Sequence, residues 1–306
     1  MTEDEILTSI FAKLPHPPDD VAVPPGDDCA ALKISDDTLM LLTVDQLVGD
    51  KHYLMRKTRP EEAGRKLLAR NLSDIAAMGG TPTYCLLAVA TPVRGAEQWV
   101  QRFVQGVLTL ARLYDVHLIG GDLATAPHDQ VAGLTLVGTV SPRRVCLRSG
   151  ARPGDGLFAT GCFGQSFETG HHLSFSPRCR EARFLAENAT VTAMIDVSDG
   201  LLLDAFRICR ASTVGLRLNL DSVPRRTVTT TQGNALYDGE DHELLVALDS
   251  KSAETVTGDW PFKDVCLTHI GDFYASGTPE IRDTHNTVLA HDTPHGYDHF
   301  ALHANH

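Results

Sequence analysis

None of the common phosphate cradles is present in this sequence. It has no Walker A run and no kinase-type glycine loop. There is no G-x-S-x-G elbow, no H-E-x-x-H and no C-x-x-C, which excludes a hydrolase nucleophile turn, a zincin site and a thiol-paired zinc or redox centre. Positive charge is scarce: 27 Lys and Arg stand against 39 Asp and Glu, a net charge of -12. Such a balance argues against nucleic acid or an anionic membrane as partner. It also means that a phosphate-ester ligand needs divalent cations to bridge it to the protein. No apolar run approaches the length of a membrane span. The seven cysteines are odd in number and read as reduced cytoplasmic thiols, not as a disulfide framework. Residues 1–14 carry Glu3, Asp4 and Glu5 and no cationic segment, so they read as a short amphipathic helix on Ile6, Leu7, Ile10 and Phe11 rather than a signal peptide. No internal repeat stands out.

What is present is an ordinary globular complement of apolar residues, 42% of 306, enough for one large domain or two of common size. Ser141-Pro142 and the basic run Arg143, Arg144, Arg148 mark a junction, giving an N-terminal domain over 1–141 and a C-terminal one over 142–306. Helices are expected over 60–78, 96–114, 180–188 and 201–211. Strands are expected over 38–45, 84–90, 116–122, 131–140, 156–160, 193–197, 214–220, 243–249 and 265–270. Residues 15–25 and 161–177 read as loops. Strands and helices mix without strict alternation, which favours an α+β class over a doubly wound sheet.

The stretch Asn71-Leu-Ser-Asp-Ile-Ala-Ala-Met-Gly-Gly80 draws the acids together. It closes the 60–78 helix, with Leu68, Leu72 and Ile75 on an apolar face and two glycines as a left-handed stop. Asp74 then sits against the negative end of the helix dipole, so something positive is required nearby. Asp27, Asp28, Asp45, Asp122, Asp196 and Asp199 likewise fall at element ends beside Gly, Ser or Thr. Carboxylates on such loops are the hard oxygen donors that magnesium uses together with substrate phosphates. Singly, each is equally well an Asx turn.

Taken together, the motifs resemble the thiamine-monophosphate kinase family, within the aminoimidazole-ribonucleotide-synthetase-like superfamily. The residues that carry the resemblance are Gly26-Asp-Asp-Cys-Ala-Ala31, Val44-Asp-Gln-Leu-Val48 with His52, Asn71 to Gly79, Ile119-Gly-Gly-Asp122 and Arg148-Ser-Gly-Ala-Arg-Pro-Gly-Asp155. They continue in Ile195-Asp-Val-Ser-Asp-Gly-Leu201, Gly239-Glu-Asp-His-Glu-Leu244 and Gly296-Tyr-Asp-His-Phe300. The resemblance implies an N-terminal domain whose strands close a β-barrel with those of a second subunit, and a C-terminal α+β domain covering it. It implies ATP- and magnesium-dependent phosphorylation of thiamine monophosphate to thiamine diphosphate in a cytoplasmic homodimer. By position it makes Asp28, Thr43, Asp45, Asp74, Asp122, Asp196 and Asp199 metal ligands. Gly121, Asp122, Arg148 and Ser198 become nucleotide contacts, and His52, Glu240 and Tyr297 substrate contacts. Asp74, Asp122 and Arg148 become the catalytic set.

Simpler readings stand beside these. His52 is also readable as a surface histidine, Tyr297 as packing, Glu240 as a strand cap, and Arg148 as a partner of Asp155. The sequence departs from the family at Val44, at Leu123-Ala124, at Asp238 and His242, and in a short 161–194 segment. Those departures keep open a different small phosphorylated or carboxylated acceptor, or a nucleotide-binding paralogue without turnover. Against the latter, unused clustered carboxylates repel one another and destabilise the fold. A selenophosphate synthetase is disfavoured, since no reactive Cys or Lys occupies a glycine-rich N-terminal segment. A haloacid-dehalogenase phosphatase is disfavoured because Asp45-Gln-Leu-Val lacks the Asp-x-Asp-x-Thr pattern. His295, His299, His303 and His306 read as a polar tail in preference to a soft-metal site.

Overall fold

The computed structural model describes residues 2–290 and 296–297, so the C-terminal histidines lie outside the described residues. Helix α1 (Glu3–Phe11) is followed by β1 (Val21–Val23), β2 (Ala30–Lys33), β3 (Leu39–Val48), α2 (Pro60–Ala77), β4 (Thr81–Thr91), α3 (Ala96–Leu113), β5 (His117–Thr125) and β6 (Val131–Val140). The six strands form one sheet in the order β1-β2-β3-β6-β4-β5. Only β4 and β5 run parallel, and α3 supplies the crossover that a parallel pair needs. Period-2 alternation along β3, β4 and β6 puts Leu41, Leu47, Leu87, Leu134 and Leu136 inward against the helices.

The second half contains β7 (Gly156–Thr160), α4 (His171–Ser174), α5 (Cys179–Asn188), β8 (Val191–Asp196), α6 (Leu201–Ser212), β9 (Gly215–Leu218), α7 (Gln232–Tyr237), β10 (Leu244–Leu248), α8 (Ser250–Asp259), β11 (Leu267–Tyr274), β12 (Glu280–Asp283) and β13 (Val288–Ala290). Its seven strands are ordered β13-β12-β9-β11-β7-β10-β8. Strands β7 and β10 are buried at every position, as their continuous apolar runs require. The expected helices and long strands are found to within a few residues. The elements β1, β2, α4, α7, α8, β12 and β13 were not expected: the three- or four-residue strands carry too few alternations to show a period, α4 puts one helical turn into the 161–177 stretch read as a loop, and α8, ten residues long, has only Ala253 and Val256 as apolar positions.

Helix α2 is the shared element. Twelve of its 18 residues are buried, which is more than one apolar face provides, because it packs on the first sheet, on α3, and on α4, α5 and β8 of the second half. Glycines permit this crowding. A Cβ on Gly64 would stand 2.0 Å from the Phe103 carbonyl oxygen, and one on Gly106 would stand 2.0 Å from that of Glu61, so α2 and α3 cross with their backbones in near contact. The helix stops at Gly79, whose φ of +68° suits glycine.

The segment before α5 packs on the same helix. His172 is buried, its ring stacked on Phe167 at 3.9 Å, and its Nδ1 lies 3.1 Å from Lys66 Nζ. A charged lysine can only donate, so His172 accepts at Nδ1 and is neutral. Burial, with Lys66 adding to it, pushes its pKa down to about 4.

Two outcomes follow from this packing. Gly64→Ala should lower the unfolding free energy by about 1–3 kcal/mol through overpacking. Gly258→Ala, in α8 with open space around it, should be neutral or slightly stabilising. Urea unfolding of both variants checks the contrast. A histidine held neutral in the fold stabilises fully above its unfolded value near 6.5, and loses that contribution as pH falls towards 4. The stability advantage of wild type over His172→Gln should therefore shrink by about 2 kcal/mol between pH 7.5 and pH 5. Equal pH slopes for the two proteins would contradict this.

Candidate active site

Three elements deliver carboxylates to one point. The turn before β2 brings Asp28, the last turn of α2 brings Asp74, and the end of β8 brings Asp196. One oxygen of each lies within 4.8 Å of the others. Asp74 Oδ2 accepts from Thr43 Oγ1 at 2.5 Å, and Asp196 Oδ2 accepts from Ser73 Oγ at 2.6 Å. Consecutive residues of α2 thus engage both halves of the chain. Asp45 lies beside them, two positions along β3 from Thr43 and on the same inward face.

Bringing these acids together is electrostatically unfavourable, and the carboxyl groups show it. Burial pushes Asp74 well above the usual carboxylate range, and Asp45, Asp196 and Asp28 add to the push. Burial raises Asp28 to about 7 even though Arg148 opposes it. Burial works against Asp196 as well, but hydrogen bonds from His242 and Ser73 bring it below its ordinary value. His242 itself is lifted to about 9: burial disfavours its charge, and Asp196 and Glu240 more than offset that. Its ring, stacked on Phe175 at 4.3 Å, spans the two acids, 3.2 Å from each.

The donors are all oxygens, and Asp28 Oδ2 is buried with no hydrogen-bond partner among the described residues. An orphaned carboxylate oxygen facing two further carboxylates fits a hard divalent cation such as magnesium.

A pocket of about 330 Å³ opens beside the cluster, lined among others by His52, Arg70, Phe167, Ser198, Asp199, Glu240, His242 and Tyr297. His52 is buried, accepting from the Val48 amide at Nδ1 while its carbonyl receives Lys66 Nζ, which removes the reading as a surface histidine. Glu240 sits in the left-handed region at φ 65° and accepts from Lys66 at 2.8 Å. Tyr297 is 37% exposed, and its amide donates to the Asp199 carbonyl. A larger cleft of about 1010 Å³, between the start of β4, Tyr114 and α5, holds none of the clustered acids.

Other sequence-derived residues fall elsewhere. The Asp199 carboxylate borders the pocket but is held by Arg207 at 2.6 Å. Arg148 does not pair with Asp155. Its Nε and Nη2 both donate to Asp28 Oδ1, and its amide is held by Asp27. Asp155 accepts from Thr192 instead. Gly121 and Asp122 lie on edge strand β5. The register Asp45–Leu134–Leu87–Gly121 spans three strand spacings, about 14 Å, so one chain does not bring them to the cluster. Ser73, Lys66, Arg70 and the bridging role of His242 were not foreseen. Arg70 and Lys66 are one and two turns before Asp74, and that i, i+4 spacing was their signal.

Residues 26–140 match the AIR synthase related protein N-terminal domain and residues 147–282 the corresponding C-terminal domain. The thiamine-monophosphate kinase of Rhodopirellula baltica is 35% identical over 82% of this chain and 83% of its own. That of Escherichia coli K12 is 33% identical over 92% and 93%. AaThiL, solved with AMPPCP and TMP, superposes with a TM-score of 0.83 at 25% identity, covering 98% of this chain and 97% of its own. The Stenotrophomonas maltophilia thiamine-monophosphate kinase superposes at 0.74 with 28% identity over 92% and 95%. With its acids gathered at the end of α2 and a pocket opening beside them, the chain belongs to the thiamine-monophosphate kinase family.

Proposed function

We propose that the protein transfers the γ-phosphoryl group of ATP to the phosphate of thiamine monophosphate, giving thiamine diphosphate and ADP. The observation that carries this reading is the junction of a three-carboxylate cluster with a pocket lined by His52, Glu240 and Tyr297, in a chain of this family. An acceptor phosphate oxygen attacks the γ-phosphorus, and the bond to the β-bridging oxygen breaks. The nucleophile is already anionic, so no general base is needed. Asp28, Asp74 and Asp196, with Asp45 and Thr43 beside them, would hold magnesium, as would Asp122 and Asp199. Magnesium supplies charge neutralisation and alignment of the phosphates.

The chain's own residues prepare that site. Arg148 and Asp27 fix the Asp28 turn, and Arg148 is the proposed nucleotide contact with Gly121 and Ser198. His242 couples the cluster to Glu240 through one ring. His52, Glu240 and Tyr297 take the acceptor, Tyr297 offering a ring face for an aromatic system.

The reading includes a homodimer through the domain over 1–141. The sheet face turned away from α2 and α3 leaves Val44, Tyr84 and Leu86 exposed, and edge strand β5 exposes Ile119 and Leu123. Asp122 lies in register with Ala88 on that open face. A second copy covering it would supply Gly121 and Asp122 to its partner's nucleotide. The seven unpaired thiols accord with a reducing cytoplasm, and among the described residues no helix is long and apolar enough to cross a membrane.

Three measurements test the reading. Purified protein with ATP, magnesium and a panel of phosphorylated acceptors should turn over thiamine monophosphate; nucleotide turnover without a diphosphate product, read by mass, would sink the assignment. Light scattering at micromolar protein should give twice the 33.2 kDa chain mass, and a monomer throughout removes the shared site. Asp74→Asn should lower turnover about a thousandfold. Without metal it should melt at the same temperature or higher, because it removes a repelled carboxylate. Magnesium should raise the melting temperature of wild type and leave the variant nearly unmoved.

A further inference from the structure

One cation at the pocket is only partly engaged. Arg70 stands one helical turn before Asp74, with its side chain 15% exposed and lining the pocket. Nη2 donates to Asp45 Oδ1 at 3.1 Å, and Nη1 lies 4.0 Å from Glu240 Oε1, too far to bond. Among the described residues, Nε and Nη1 are buried and have no hydrogen-bond partner. A desolvated guanidinium with open donors is unfavourable by itself, and its planar fork suits a phosphate or carboxylate.

The neighbouring carboxylates of Asp45 and Glu240 answer its charge but leave those two donors unbonded. The Glu240 carboxylate is engaged by Lys66 and His242. The other buried cations nearby are committed: Lys66 is fully enclosed, Arg148 is on Asp28, and Arg207 is on Asp199 and Asp204. Lys51 lines the same pocket but stands in solvent at its mouth. The same lining carries Phe167 and Tyr297, which suit an apolar or aromatic body.

We propose that Arg70 is a specificity determinant that receives the anionic end of the acceptor, its phosphate, and so selects a phosphorylated acceptor over the same molecule without the phosphate. The proposal rests on the acceptor reading given above. It assigns the anion to Arg70, which bonds Asp45 beside the carboxylate cluster, and the aromatic body to Phe167 and Tyr297. An anion in that place would meet the guanidinium next to Asp45, and a small rotation of the side chain would turn its unpartnered Nε and Nη1 to it, close to the metal-binding acids.

The test is calorimetric binding of thiamine monophosphate and of thiamine to the full chain in magnesium-free buffer, so that the phosphate preference reports protein cations alone. Wild type is compared with Arg70→Gln and Arg70→Lys, and acceptor and ATP KM are measured in magnesium. Arg70→Gln should bind thiamine monophosphate about 10- to 100-fold more weakly and thiamine within about twofold of wild type. Its acceptor KM should rise while its ATP KM stays put. Arg70→Lys, which keeps the charge without the fork, should fall between. If Arg70→Gln does not fold, the Lys variant decides by the same ratio. Equal loss of both ligands marks a merely structural arginine and overturns the proposal, as does an unchanged preference. Wild type that phosphorylates thiamine monophosphate while Arg70→Gln keeps its preference removes Arg70 alone. Wild type that neither binds nor phosphorylates it removes the acceptor reading and this proposal together.

Discussion

Mutual repulsion among buried carboxylates is the constraint around which this protein is built. Asp28, Asp74 and Asp196 converge within 4.8 Å, at the negative end of a helix, with Asp27 and Asp45 close by. Left alone, such a cluster would protonate or push the elements apart. The fold surrounds it with Arg148, Arg70 and a charged His242, each drawn from a different element. That compensation is partial, as the raised carboxyls of Asp28 and Asp74 show. The residual negative potential is what a cation-dependent phosphate chemistry needs, and it accords with a chain whose acids outnumber its bases.

Most of the acids were legible in sequence because they stand at element ends next to a small or hydroxylated residue; Asp45 and Asp122, expected at strand ends, lie inside β3 and β5. The chain order of the motifs supplied what no single motif could. Long elements were also legible: α2, α3 and β6 carry enough periods to be read. The pairing of charges was harder. Arg148 looked equally ready to meet Asp155, seven residues on, and only folding shows that it turns to Asp28, 120 residues away. The charge on His242 depends on two acids, one of them 46 residues distant, and its ring stacks on a phenylalanine from the segment before α5. No local pattern encodes such a meeting.

The departures from the family pattern acquire physical meaning in the fold. His242, in place of an aromatic, keeps a ring to stack on Phe175 and adds a charge between Asp196 and Glu240. Asp238 accepts from the Gln165 amide, tying the segment after Gly161 to the turn before β10. The 161–194 segment is therefore anchored, with Phe167, His172 and Phe175 packed towards α2 and the pocket rather than looped away from it.

Helix α2 carries Lys66, Arg70 and Asp74 four residues apart, and Ser73 one residue off that stripe; Arg70 and Asp74 meet Asp45 and Thr43 of β3, while Lys66 and Ser73 meet Glu240 and Asp196 of the second half. A helix advances about 100° and 1.5 Å per residue, so these four side chains act as marks on a rigid ruler. Inserting or deleting a single residue between Lys66 and Asp74 would rotate one part of the set away while the other stayed in place, and no neighbouring loop could absorb the error. Length variation in this protein should therefore be confined to the connections, and the nine positions from Lys66 to Asp74 should tolerate substitution far better than any change in their number.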